Sequence, residues 1–251
     1  VEAEREKWNS DRIESALDRI RDARPTAINL AWGVNQVRHL IPQGLDSVLQ
    51  AAHELAANDK ASGEEMANNG ATWLKNHFGE KKLRMLTHCN TGSLATTGIG
   101  TALGVIRRMH ELGLVEEVIA DETRPLLQGS RLTAWELSVS GIPYRIAPDG
   151  AAASAILSGK VDVALIGADR IARNGDSANK IGSLGVALAC KEAGIPFLVV
   201  APESTVDRTI ADGSSIVIEE RPDEEITFFG GVRVAPDGAQ TFNPAFDVTP
   251  A

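Results

Sequence analysis

The chain has 251 residues, 43% of them hydrophobic and 24% charged, with a formal net charge of −9 at pH 7. That length and balance suit a globular fold with room for a sizeable core. The acidic excess argues against nucleic acid or an anionic membrane as the main partner, although a few local cations can still attract a small anion.

Cys89 and Cys190 stand far apart with no Cys-x-x-Cys, and the five histidines lack metal-ligand spacing. No stretch approaches the roughly 18 apolar residues of a membrane span, and no secretory start is visible. A cytoplasmic enzyme or regulator with no metal site and no disulfide is expected. The chain begins at Val1 and stops at "NPAFDVTPA", so either end reads as a processed or truncated boundary.

Residues 1–80 read as helices. "SDRIESALDRIRDA" sets Ile13, Ala16, Leu17 and Ile20 at helical spacing, with Ser10 or Asp11 as N-cap and Pro25 ending or offsetting the run. "AINLAWGVNQVRHL" places Leu30, Val34 and Val37 on one face. "LDSVLQAAHELAAND" and "GEEMANNGATWLKNHF" read as two more amphipathic helices.

From residue 81 the pattern changes. Short apolar runs ("LRMLTHC", "VEEVIADE", "PYRIAP", "VDVALIGA", "PFLVVAP" and "SSIVIEE") alternate with helical segments. Near-continuous apolar strands between helices predict a parallel sheet covered on both faces. The expected fold is α/β: a doubly wound, mostly parallel Rossmann-like catalytic domain over 81–251, preceded by the helical segment 1–80. Gly98, Gly100 and Gly104 begin well past Gly92, so they are placed inside a closely packed helix rather than in a dinucleotide fingerprint.

Ligands in such sheets bind beyond the carboxyl ends of the strands. Here the first strand delivers Cys89, Asn90 and Thr91, the second Asp121 to Arg124, and the fourth Asp169 and Arg170. The turn Thr91-Gly92-Ser93, between strand and helix, has the form of a phosphate cradle. Lys180 is expected in the first turn of a helix starting near Ala178, where a cation opposes the dipole by about 0.3–1 kcal/mol unless an anion binds nearby. Asn179 adds an uncharged donor. With Arg124 and Arg170 on the same rim, phosphate is the favoured ligand.

Cys89 reads either as a small residue ending a strand or as a thiol whose thiolate a helix start would favour and a bound phosphate oppose. Asp169, after "VALIGA", reads as a desolvated general acid or as a partner of Arg170. Cys190 reads as core.

"HCNTGSLATTGIGTAL", "DETRPLLQGSRLTAWEL", "GADRIARNGDSANKIG" and "NPAFDVTP" together resemble the methylthioribose-1-phosphate isomerase family of methionine salvage. That family is related to ribose-1,5-bisphosphate isomerases and to the non-catalytic regulatory subunits of a translation-initiation exchange factor, which remain the alternative readings. The resemblance implies an aldose–ketose isomerase acting on a small phosphorylated sugar without metal or nicotinamide, and a homodimer. It implies Asp169 as proton donor and Cys89 as second catalytic group, with Arg24, Gln128, Asn179 and Lys180 binding substrate. Arg24 and Gln128 rest on the resemblance alone. The family's Arg-Gly-Ala-Pro loop ahead of "RPTA" and its closing helix after "VTPA" are not in this chain, which reads as the body of such an enzyme.

Overall fold

The computed structural model describes residues 2–251. Its first quarter is helical: α1 (Glu2–Arg5), α2 (Ser10–Arg21), α3 (Ile28–Arg38) and α4 (Leu45–Phe78). Asn9, rather than Ser10 or Asp11, caps α2 by accepting the Arg12 N–H at 3.0 Å. The two helices expected between residues 45 and 78 are one helix of 34 residues. "ASGEE" offers a glycine and a Ser62-to-Glu65 capping pattern but no proline, and α4 runs straight through it. Gly63 is instead buried where the helix meets the 98–100 loop, a β-carbon there lying 3.5 Å from the Gly100 carbonyl oxygen.

The remaining chain runs β1 (Leu83–Thr87), α5 (Ala102–Glu111), β2 (Val115–Asp121), α6 (Ala134–Val139), β3 (Tyr144–Ala147), α7 (Ala152–Leu157) and β4 (Val163–Ile166). It continues through β5 (Arg170–Ala172), β6 (Ser177–Lys180), α8 (Ser183–Ala193), β7 (Phe197–Val199) and β8 (Val206–Asp207). It closes with α9 (Glu224–Thr227), β9 (Phe228–Phe229), β10 (Val232–Arg233) and β11 (Phe246–Thr249).

Five strands form the main sheet in the order β3-β2-β1-β4-β7, every neighbouring pair parallel. Their side chains alternate between faces, as the pleat requires. Met85, Val118 and Leu165 join α4, α5 and α6 in one core; Leu86, Ile119 and Ala164 join α7 and α8 in the other. Cys190 is fully buried in the second core, as expected.

A smaller sheet, β11-β6-β5-β8, lies beyond the carboxyl edge of β4. Two elements differ from the sequence reading there. "SANK" is a strand, held between antiparallel neighbours on both sides, so Asn179 and Lys180 precede their helix rather than begin it. "SSIVIEE" forms no strand and makes a single bridge, Glu220 to Pro244. Among the described residues, no helix is long and apolar enough to cross a membrane.

Two glycines within α4 have opposite expectations. Alanine normally stabilises a helix interior by about 1 kcal/mol relative to glycine. At Gly63 the nearest atoms leave ordinary contact, whereas at Gly70 a β-carbon would meet the stiff, buried Val105 side chain at 2.5 Å. Thermal unfolding should show Gly63→Ala raising Tm and Gly70→Ala lowering it, the latter by about 1–3 kcal/mol in stability.

Candidate active site

The main sheet reverses its winding between β1 and β4, so the chain segments leaving those two strands diverge and open a crevice. β1 leads into Cys89 and β4 into Asp169, and both residues line one cavity of about 980 Å³. Gly167 lets the two exits pass closely, since a β-carbon there would stand 2.9 Å from the Thr91 methyl.

Cys89 has φ +64°, in the left-handed region that costs a non-glycine residue about 1–2 kcal/mol. Two threonines hold it there. The Cys89 N–H donates to Thr123 Oγ1 at 2.9 Å, and its carbonyl accepts from Thr133 Oγ1 at 2.5 Å. Below it, buried His88 places Nδ1 3.0 Å from an Asp121 carboxylate oxygen and Nε2 2.8 Å from the Ile181 carbonyl. An acceptor lies at each nitrogen, which favours the protonated ring, while burial raises the Asp121 carboxyl as well. Burial opposes the ring's charge, but the two acceptors prevail and raise its pKa. His88 thus ties β1 to β2 and to the residue after Lys180. Asp149, the third member of this His/Asp cluster, accepts the Thr123 and Arg124 N–H groups at 2.7 and 2.6 Å.

The helix after Cys89 starts only at Ala102, so the thiol does not sit at that helix's N-terminus. Gly98 and Gly100 lie in the intervening loop and only Gly104 is helical, a further departure from the sequence reading. Gly100, at φ +101°, sits where any β-carbon would meet the Thr91 carbonyl oxygen at 2.5 Å. Burial pushes the Cys89 thiol up to about 11, against the opposing pull of the Asn90 N–H, Lys180 and Arg24. It is a neutral thiol at pH 7.

The Thr91-Gly92-Ser93 turn does hold an anion, but the anion is the protein's own. Glu136, 1% exposed, accepts from Ser93 N–H at 2.8 Å, Leu94 N–H at 3.3 Å and Asn90 Nδ2 at 2.9 Å, and pairs with Arg107 at 2.6 Å. These bonds outweigh its burial and hold its carboxyl below the usual range. Gly92 and Ser93 therefore face Glu136 and are not on the cavity wall; a β-carbon at Gly92 would stand 2.3 Å from the carboxylate. Thr91 does reach the wall, while its hydroxyl accepts the Leu103 N–H at the start of α5.

The α8 N-terminus is filled in the same way. Asp247 on β11 accepts the Gly182 N–H at 2.7 Å and the Leu184 N–H at 3.1 Å. Positive charge on the cavity wall comes from Arg24 and Lys180, both packed on Phe246, at 5.7 and 4.5 Å from its ring centre. Arg124 and Arg170, expected on this rim, are elsewhere. Arg124 sits over Phe229. Arg170 pairs with Asp207 at 3.1 Å and donates to the Pro25 and Thr26 carbonyls, anchoring the segment that carries Arg24.

Asp169 is left without Arg170, and among the described residues no group donates to its carboxylate. Burial raises it to about 6, with Lys180 and Arg24 pulling down and Glu219 pushing up. Its backbone carbonyl receives the Ile28 N–H at 3.2 Å, tying it to α3. Gln128 and buried Asn179 complete the polar lining, and Leu17, Ile20, Val34 and Leu55 contribute an apolar flank. The structure thus gathers Cys89, Asp169, Arg24, Gln128, Asn179, Lys180 and Thr91, and leaves out Gly92 and Ser93. Sequence reasoning placed Thr123 on the rim without its role and missed Glu136, Thr133 and Asp247; nothing local distinguishes these three from solvent-facing polar residues.

The Initiation factor 2 subunit family matches residues 2–251. A probable bifunctional methylthioribose-1-phosphate isomerase/methylthioribulose-1-phosphate dehydratase from Nocardia farcinica is 53% identical over 95% of this chain, which spans 43% of that protein. A methylthioribose-1-phosphate isomerase from Thermoanaerobacter sp. is 49% identical over 96% of the chain, here 70% of the relative's length.

Among solved structures, 5-methylthioribose 1-phosphate isomerase from Pyrococcus horikoshii OT3 aligns with a TM-score of 0.83 at 42% identity, covering 96% of this chain and 68% of that one. The delta subunit of translation initiation factor eIF-2B from A. fulgidus aligns with a TM-score of 0.80 at 39% identity, over 97% and 72%.

Two outcomes test the site's construction. Removing the buried carboxylate in Glu136→Ala orphans the Ser93 and Leu94 N–H groups and leaves Arg107 with only Ser93 Oγ and the Ile99 carbonyl, and urea unfolding should register a loss of about 3 kcal/mol. Alkylation of Cys89 by iodoacetamide should be slow at pH 7 and climb steadily towards pH 11; a rate already at plateau by pH 8 would show a thiolate instead.

Proposed function

The chain belongs to the Initiation factor 2 subunit family, and from that membership and the cavity's chemistry we propose that it carries the isomerase activity of methionine salvage. It converts 5-methylthioribose 1-phosphate to 5-methylthioribulose 1-phosphate. The observation that carries this reading is the convergence of a carboxyl near pKa 6 and a neutral thiol on one cavity whose cationic groups are Arg24 and Lys180.

The esterified anomeric oxygen closes the usual route through a free aldehyde, so the ring must be opened with the phosphate in place. Arg24 and Lys180 hold the phosphate. Protonated Asp169 donates to the ring oxygen as the C1–O4 bond breaks, leaving positive charge at C1. Hydride then moves from C2 to C1, and the C2 hydroxyl proton passes to the Asp169 carboxylate, giving the C2 ketone and restoring the acid. A thiol near pKa 11 is a poor base for the alternative enolate route at neutral pH. Cys89 instead offers a polarizable neutral group beside the cationic carbons, and the apolar flank keeps water from them.

That flank also favours a methylthio group over the second phosphate of a ribose bisphosphate, which would place a dianion against Leu17, Val34 and Leu55. The regulatory reading draws on the likeness to the initiation-factor subunit, but a scaffold has no use for a desolvated acid beside a cavity cation. A cytoplasmic setting and a homodimer, both implied by the family resemblance, belong to the same proposal.

The test is turnover of 5-methylthioribose 1-phosphate by the full-length protein, with ribose 1,5-bisphosphate in parallel. Activity on the first alone supports the reading; activity on neither transfers weight to the regulatory alternative. Asp169→Asn should lower kcat by at least about 100-fold without unfolding the protein. In the wild type, kcat/KM should fall as pH rises through about 6, because the acid form is lost. Bound phosphate neutralises Lys180 and Arg24, the groups holding Asp169 down, so the corresponding limb in kcat should lie at higher pH. Deuterium at C2 should appear at C1 of the product; washout into solvent would overturn the hydride route.

A further inference from the structure

The amide of Asn90 has only one possible orientation. Its nitrogen faces two acceptors, the Glu136 carboxylate at 2.9 Å and Thr133 Oγ1 at 3.2 Å. The reverse orientation would set Oδ1 against a buried, ionised carboxylate. Oδ1 therefore points the other way. It is a buried oxygen with no donor among the described residues, and its residue lines the cavity next to Cys89. Leaving such an acceptor unmatched costs about 1–3 kcal/mol, and a ligand in the cavity that its residue lines can supply the donor.

The sugar phosphate proposed above has few donors. Its C1 oxygen is esterified, its C4 oxygen is in the ring and its C5 bears sulfur. The C2 and C3 hydroxyls remain. We infer that Asn90 contacts the substrate directly, Oδ1 accepting a hydrogen bond from one of these two ring hydroxyls. Glu136 is then a positioning residue: by taking the Asn90 amide nitrogen it aims the oxygen, and by taking the Ser93 and Leu94 N–H groups it fixes the turn that carries it. Gln128, whose Oε1 is likewise buried without a donor on the same wall, is placed to meet the other hydroxyl. The inference rests on the proposed isomerase reading and adds to it a determinant against deoxy sugars.

The experiment is a binding cycle by titration calorimetry on the full-length protein. It uses 5-methylthioribose 1-phosphate, its 2-deoxy and 3-deoxy analogues, and the wild type beside Asn90→Ala. Wild type should bind one deoxy analogue about tenfold or more weaker than the parent sugar. Asn90→Ala should weaken the parent sugar by a similar factor and no longer discriminate against that analogue. A general loosening of the site would weaken all three sugars alike and leave the discrimination intact.

Asn90→Ser, which keeps a polar group towards Glu136, repeats the comparison if the alanine variant melts too low to titrate. Undiminished discrimination against both analogues in a folded variant overturns the inference while leaving the isomerase reading in place. Failure of the wild type to bind or turn over the parent sugar overturns both.

Discussion

Two parallel strands that wind away in opposite directions cannot both be covered at their carboxyl ends, and the gap between β1 and β4 is the constraint on which the site depends. It decides which residues can meet: the first few after each strand and little else. The β1 exit is the more demanding, because the chain must turn at once into the left-handed region to show a side chain to the gap. Thr123 from the β2 exit and Thr133 from the helical turn beyond it hold that conformation through both backbone groups of Cys89. Strain at one residue is thus sustained by hydrogen bonds from two others.

The two places where backbone N–H groups would ordinarily receive a substrate anion are already occupied from within. Glu136 fills the turn after β1, and Asp247 fills the start of α8. Positive charge on the cavity wall comes instead from two side chains, Arg24 and Lys180, that rest on a single aromatic ring, Phe246. The arrangement also sets the acid. A carboxyl desolvated beside two cations settles near 6, between the values that either influence alone would give.

Much of this architecture was legible because β1, β2 and β4 carry apolar side chains at most of their inward positions, Met85, Leu86, Val118, Ile119, Ala164 and Leu165 among them. Cys89 and Asp169 followed from the rule that strand ends hold ligands. The errors also have physical causes. "SANK" lacks a strand's composition because its stability comes from two antiparallel neighbours, not from its own side chains. Glu136 is one acidic residue in an amphipathic helix, and only the fold shows that it points inward. The Gly-Ser turn was expected to cradle a phosphate, and its N–H groups hold the Glu136 carboxylate instead, since spacing reveals a cradle but not its occupant. Arg24 reached the wall through a loop that Arg170 anchors, a long-range relation invisible to local pattern.

The length of α4 has a mechanical implication. At 34 residues it extends about 50 Å. Its later half is embedded through Ala71 and Leu74, while Ala52, Leu55 and Ala56 on its earlier half border the cavity. It behaves as a cantilever rooted in the core, its free arm pinned laterally by Asp59, which receives the Thr97 N–H at 2.9 Å. An unbroken cantilever transmits displacement instead of absorbing it. Any inward swing of that arm must drag the 94–101 loop with it, so Leu55 and that loop would move on the cavity together.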